Sequence, residues 1–218
     1  VINNFKLLEP LLEFTNPGDC YFIQFLKRHK DNPEMKKNMV NVDNLFIYSL
    51  EEFRDMEERI IEIATVHNAR AYLRINRRNT EKLALQTLVK ISNLILSKDY
   101  YSVKNAYLSA AGEHSSEPIK RWIVDVDRQP NMFDFTYTDY LNKIRGYIKE
   151  LHDQCNRNSK QGVYKMLVEV ETKNGVHIIT NPFNLKEFNK YFEWHKLIRN
   201  PQPAPDIHKD NPTILYHP

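Results

Sequence analysis

The sequence predicts an α/β chain of the α+β kind, with an N-terminal α/β lobe over 1–115 and a second lobe over 116–218 built on a split antiparallel sheet covered by helices. Three observations predict it. Segments rich in β-branched and aromatic residues alternate with segments whose apolar residues recur at helical spacing. The second half runs strand, helix, hairpin, helix, strand, an order that suits a split antiparallel sheet. The 41% hydrophobic share beside 27% charged residues is that of a chain with a packed core.

In the first lobe, residues 4–14 read as a short helix and Tyr21–Arg28 as a strand. The polar stretch His29–Asn44, with Pro33 and Lys36-Lys37, reads as a long mobile loop before a short strand at Leu45–Tyr48. Phe53, Met56, Ile60, Ile61 and Ala64 recur at helical spacing, which predicts one amphipathic helix of about four turns. Ala71–Ile75 is a strand ending in the basic run Arg74-Ile-Asn-Arg77-Arg78. Asn79 or Thr80 caps a helix carrying Leu83, Ala84, Leu88, Ile91 and Ile95, whose wide apolar arc predicts deep packing. A second helical segment follows around Tyr101–Ala111 and breaks at His114–Pro118.

In the second lobe, Arg121–Asp127 is a strand by its β-branched content. Thr136 and Asp139 form a capping box for a helix with Tyr140, Leu141, Ile144, Ile148 and Leu151 on one face. Asn156–Gln161 reads as a polar loop. Val163–Glu171 and Val176–Thr180 are strands joined by Lys173-Asn174-Gly175, where Asn-Gly signals a tight hairpin of positive φ. Asn184 and Glu187 cap a helix with Leu185, Phe188 and Phe192. Asn200–Pro212 is a proline-rich loop, and Thr213–Tyr216 a last strand. The resulting sheet is of the RRM-like type, and the two lobes read as one composite domain.

Composition excludes several function classes. No stretch approaches the ~20 apolar residues of a membrane span. Val1–Leu12 lacks the basic-then-apolar layout of a signal peptide. Cys20 and Cys155 stand far apart and form no disulfide framework, so a reducing cytoplasm is the expected compartment. The five glycines are scattered, which excludes a dinucleotide fingerprint and a P-loop. The formal net charge of +3 argues against broad electrostatic coating of nucleic acid but leaves room for a local basic groove.

Asp125 and Asp127 are separated by one residue on a strand, so both carboxylates share a face while Trp122, Val124 and Val126 share the other. Two such carboxylates fit either a solvated strand face or a site for Mg²⁺ or Mn²⁺, the hard cations that suit oxygen ligands. His177 follows the Asn174-Gly175 turn, with Lys173 four residues before it. A lysine charge and an imidazole donor on one hairpin suit a phosphate, although a surface histidine beside a turn lysine has the same pattern. A third acid would complete a two-metal site. Asp210, nearest the last strand, is preferred over Asp206 and Glu171.

Hydrophobic-Asp-x-Asp at Ile123–Asp127, Lys-x-small-x-His at Lys173–His177, and an Asp before a short tyrosine-bearing strand at Asp210–Tyr216 together resemble the archaeo-eukaryotic primase superfamily. That family includes the primase-polymerases of phages, plasmids and mobile elements. The resemblance covers the second half of the chain. It implies that Asp125 and Asp127 hold divalent metal and that Asp210 shares one of the ions. It implies that Lys173 and His177 contact the phosphates of an incoming nucleotide, with Gly175 in the same nucleotide-binding hairpin. The family usually carries serine where this chain has Gly175, and a backbone N–H can replace that hydroxyl as donor. The implied activity is a two-metal nucleotidyl transfer that makes or extends primers on a single-stranded DNA template. Its cofactor is Mg²⁺ or Mn²⁺, its substrate a nucleoside triphosphate, and its partners include a helicase or other replication proteins. The scattered glycines fit this chemistry, because metals and side chains rather than a glycine cradle neutralise the triphosphate.

The same acids would also serve a metal-dependent nuclease, or be surface charge on a non-catalytic replication accessory protein that binds nucleic acid. Arg74, Arg77 and Arg78 fit weak nucleic-acid or triphosphate contacts, or a solvated strand end. Lys27, Arg28, Lys30, Lys36 and Lys37 fit a DNA backbone track or plain solvated charge. Tyr100, Tyr101 and Tyr107 read as core rather than as base-stacking residues. His152 and Cys155 have no second ligand pair nearby, so no zinc site is expected.

Overall fold

A computed structural model of the chain describes residues 1–128, 134–158, 164–198 and 204–218. In chain order the elements begin β1 (Ile2–Asn3), α1 (Phe5–Leu8), β2 (Asp19–Arg28), β3 (Met39–Ile47), α2 (Leu50–Asp55), α3 (Glu57–Val66), β4 (Arg70–Arg74), β5 (Arg78–Asn79), α4 (Thr80–Leu96) and α5 (Ala106–Glu113). They continue β6 (Trp122–Asp127), α6 (Asp134–Asn158), β7 (Met166–Glu171), β8 (Gly175–Thr180), α7 (Leu185–Ile198), β9 (Asp206–His208) and β10 (Pro212–His217). The fold is mixed α/β with two antiparallel sheets, as the sequence predicts. No helix among the described residues is long and apolar enough to cross a membrane.

The chain divides into two compact units, and the division corrects the predicted one. The first unit is Val1–Lys120 together with Asp210–Pro218; the second is Arg121–Lys209. The last strand therefore leaves the second lobe. β10 lies between β1 and β4 in the first unit's sheet, pairing Thr213 with Leu73 and Ile214 with Tyr72.

The first unit's sheet runs β1-β10-β4-β2-β3, with β5 paired to β2. Its longest strand, β2, is buried on both faces: Tyr21, Ile23 and Phe25 alternate with Cys20 and Phe22, and the latter two pack on Leu83, Ala110 and Ala111. Burial pushes the Cys20 thiol up to about 11, which leaves it no nucleophile at neutral pH. Several predicted elements change length. β3 begins at Met39, because antiparallel pairing with β2 extends through a polar stretch, and the loop expected there shrinks to 29–38. The helix expected across Phe53–Ala64 is two helices that meet at Met56. The helix over 4–14 stops at Leu8 and continues as a 3-10 turn over Glu9–Leu11, with Pro10 in its first positions.

α4 is capped by Asn79, as predicted, but it is not deeply packed. Leu83 is its one fully buried residue; Leu85, Leu88, Val89, Ile95 and Leu96 are each at least half exposed. Tyr100 and Tyr101 are likewise exposed, at 65% and 77%, so neither belongs to the core. Tyr107 is also exposed, with its ring against Phe46.

The second unit has strand order β7-β8-β6-β9, all antiparallel. In order of sequence this is βαββαβ, two interleaved split βαβ crossovers; the order is the predicted one, but its fourth strand is β9, inside the loop expected over Asn200–Pro212, and not Thr213–Tyr216. Val124, Val126 and Ile178 pack with Tyr140, Ile144, Ile148 and Leu151 of α6 and Phe188 and Phe192 of α7, so both helices cover one face. α6 starts at Asp134, which puts Thr136 and Asp139 inside the helix rather than at its cap. The Val163 end of the predicted strand, the Gly162 region and the Asn200–Pro203 part of the predicted loop lie outside the described residues.

Candidate functional site

Strand register builds the site. Asp125 on β6 is paired on one side with His177 of β8 and on the other with Asp206 of β9. Cross-strand partners sit about 4.5–5.5 Å apart at Cα and project to the same face, so these three side chains form a row across the sheet. Asp127 lies two residues along β6 on that face, opposite Gly175. The face is the one turned away from α6 and α7, since the intervening Val124 and Val126 belong to the helix-packed core.

Within the row, His177 Nε2 lies 3.4 Å from Asp125 Oδ1. His177 is 8% exposed and Asp125 half-buried, whereas Asp127, Asp206 and Lys173 are exposed. A buried imidazole held against a carboxylate is fixed in orientation, and Asp127 and Asp206 beside it are exposed to solvent. Among the described residues no three His, Cys, Asp or Glu side chains are already gathered as a metal-binding group. By donor type the site still fits a hard cation, because the row's Asp125 and Asp206 and the neighbouring Asp127 offer carboxylate oxygens.

The hairpin that carries His177 forms as predicted, but not through positive φ. Neither Asn174 nor Gly175 adopts it; among the described residues only Gly18, Asn68 and Lys98 do. Gly175 serves close approach instead. A Cβ there would stand 2.0 Å from the Val126 carbonyl oxygen and 3.0 Å from Asp127 Cα. The Gly175 carbonyl accepts from Thr172 N–H, and the Asn174 carbonyl accepts from Arg128 N–H at 2.7 Å, which ties the turn to the end of β6.

Asp210 has its described partners in the first unit. Its carboxylate lies 3.3 Å from Arg78, accepts from Asn76 Nδ2 at 3.0 Å and faces Lys120 at 3.6 Å. The arginine cluster is committed to internal partners. Arg78 is fully buried and also donates to the carbonyls of Ala111 and Asn76. Arg77 is held by Asp19 at 3.0 Å and by Glu117. Arg74 donates to Gln24 and to the Asp210 carbonyl, and burial brings its guanidinium down to about 10. None of the three is a solvated strand end. Glu171 pairs with Val176, one residue out of the row's register, and so stands on the other face. His152 is buried, bonded through Nε2 to the Asn181 carbonyl and close to Thr180 Oγ1, in no arrangement with Cys155.

Asp206 is thus the acid that pairing brings to Asp125. Its signal in the sequence is the alternation Asp206-Ile207-His208, in which Ile207 turns to the core. Comparisons with protein-family models, curated proteins and solved structures find no match for this chain.

Proposed function

We propose that the second unit is the catalytic part of a metal-dependent nucleotidyltransferase of the primase-polymerase type, acting on a single-stranded DNA template. The observation that supports this reading is the row Asp206, Asp125, His177 with Asp127 beside it. Asp125, Asp127 and Asp206 would hold Mg²⁺ or Mn²⁺, with Asp206 in the place that the motif resemblance assigned to Asp210. When bound, the metal would activate the attacking 3′-hydroxyl and stabilise the leaving pyrophosphate.

The side chains divide the remaining work. His177, steadied by Asp125, offers a hydrogen bond to a triphosphate oxygen. Lys173 places a positive charge at the hairpin tip for the outer phosphates. Gly175 keeps the hairpin close against β6, where His177 stands on the face of the acids. In the reaction a 3′-oxygen bonds to the α-phosphorus, and the bond to pyrophosphate breaks.

The test is incorporation of labelled nucleotide on a single-stranded template with Mn²⁺ or Mg²⁺. Wild-type protein should extend the template-bound strand, and Asp125→Asn, Asp127→Asn and Asp206→Asn should each lose at least about 100-fold in rate. Incorporation that survives all three substitutions would overturn the assignment. Template degradation without incorporation would replace it with a nuclease.

A further inference from the structure

β9 carries a histidine on the face of the acids. Asp206 and His208 are two residues apart, and the Ile207 between them packs into the helix-covered core, so both polar side chains stand on the other face. His208 is paired with Ile123, as Asp206 is with Asp125, which sets it one rung along from the row. That rung continues through Ile179 to Val168, all aliphatic apart from His208, so the imidazole is its one metal-binding side chain. Residues at i and i+2 of a strand lie about 6.7 Å apart at Cα. Diagonal cross-strand neighbours, here His208 and Asp125, lie about 7–8 Å apart. Bonds of about 2 Å from an ion to each ligand, added to the reach of a carboxylate and of an imidazole, span both separations.

The two histidines of this face differ in access. His177 is buried, and its Nε2 lies 3.4 Å from Asp125 Oδ1, so it steadies that carboxylate. β9 is the edge strand of the second unit's sheet, which puts His208 at the rim, half-buried beside the exposed Asp206. His208 is therefore the imidazole that an ion arriving from solvent reaches together with Asp206. A nitrogen ligand changes which cation the site prefers. Mg²⁺ holds its waters and takes oxygen ligands, whereas transition ions accept imidazole readily. Of the two cations that the carboxylates suit, an added nitrogen favours Mn²⁺. We propose that His208 joins Asp125 and Asp206 as a nitrogen ligand and makes the site selective for Mn²⁺ over Mg²⁺. The proposal rests on the reading of those two acids as metal ligands.

Pulsed electron paramagnetic resonance of Mn²⁺ added to the full chain tests the proposal, because it registers coupling to a directly bound nitrogen. Wild-type protein should show that coupling, and labelling with ¹⁵N-histidine should convert it without any substitution. His208→Asn, which offers an amide oxygen instead, should lose the coupling, and His177→Asn should retain it. His208 is half-buried on an edge strand, so its variant should keep the wild-type circular dichroism spectrum. Competition of Mg²⁺ for the bound Mn²⁺ gives the selectivity, and His208→Asn should reduce the preference for Mn²⁺ by about 10-fold or more. Mn²⁺ bound without histidine coupling, or coupling that survives His208→Asn, would overturn the proposal and leave the carboxylate site standing. Wild-type protein that binds no Mn²⁺ would instead overturn the carboxylate site, and the proposal with it.

Discussion

Asp210 is bound by Asn76 and lies 3.3 Å from a fully buried guanidinium, so removing its charge strands Arg78 without its counter-ion. Breaking such a pair costs about 3 kcal/mol, and Asp210→Asn should lower the urea midpoint accordingly. Asp206 is exposed, so Asp206→Asn should change stability by less than about 0.5 kcal/mol while removing nucleotide incorporation. His152 supplies a pH dependence. Burial lowers its pKa below the ordinary 6.5, so the unfolded chain takes up a proton that the folded chain refuses. The contribution is fully present above 6.5 and is lost as pH falls through 6.5 towards the folded value. Denaturant midpoints should drop over that window, and His152→Gln should flatten the slope. At this scale the sequence was readable where period two decides the matter: Asp125 and Asp127 share a face in any strand. It was unreadable where pairing decides, because nothing local distinguishes an acid facing Arg78 from one facing Asp125.

Elements explain which signals could be read. The hairpin of β7 and β8 was legible from Lys173-Asn174-Gly175, yet Gly175 is there for contact with Val126 rather than for its φ. Gly175→Ala should therefore destabilise the second unit by about 2 kcal/mol, measured by thermal unfolding, through overpacking against the β6 backbone. Serine, the residue the primase superfamily usually carries there, should behave no better. β9 was hidden because three residues in a proline-rich run carry too little alternation to declare a strand. α4 was legible as a helix but not as an exposed one. Apolar content has the same pattern whether the face is covered or left open.

For the molecule as a whole, the instructive element is β10. Its apolar run Ile214-Leu215-Tyr216 identifies a buried strand, but its partners are β1 and β4, more than 130 residues back along the chain. Contacts that distant leave no trace in local spacing, which is why the domain division could not be read. Deleting 211–218 should expose the edges of β1 and β4 and abolish the first unit's near-ultraviolet circular dichroism. The strand, helix, hairpin and helix of the second unit, by contrast, are legible in the sequence because each follows the last directly; its closing strand, β9, is not.

The central claim is that Asp125, Asp127 and Asp206 form one metal-dependent nucleotide site. Its most direct measurement is titration of Mn²⁺ in the presence of a non-hydrolysable nucleoside triphosphate, followed by electron paramagnetic resonance of the free ion. The account predicts saturable Mn²⁺ binding that the triphosphate tightens and that Asp125→Asn or Asp206→Asn abolishes. Binding that persists unchanged in both variants, or wild-type protein that leaves all the Mn²⁺ free, would contradict it.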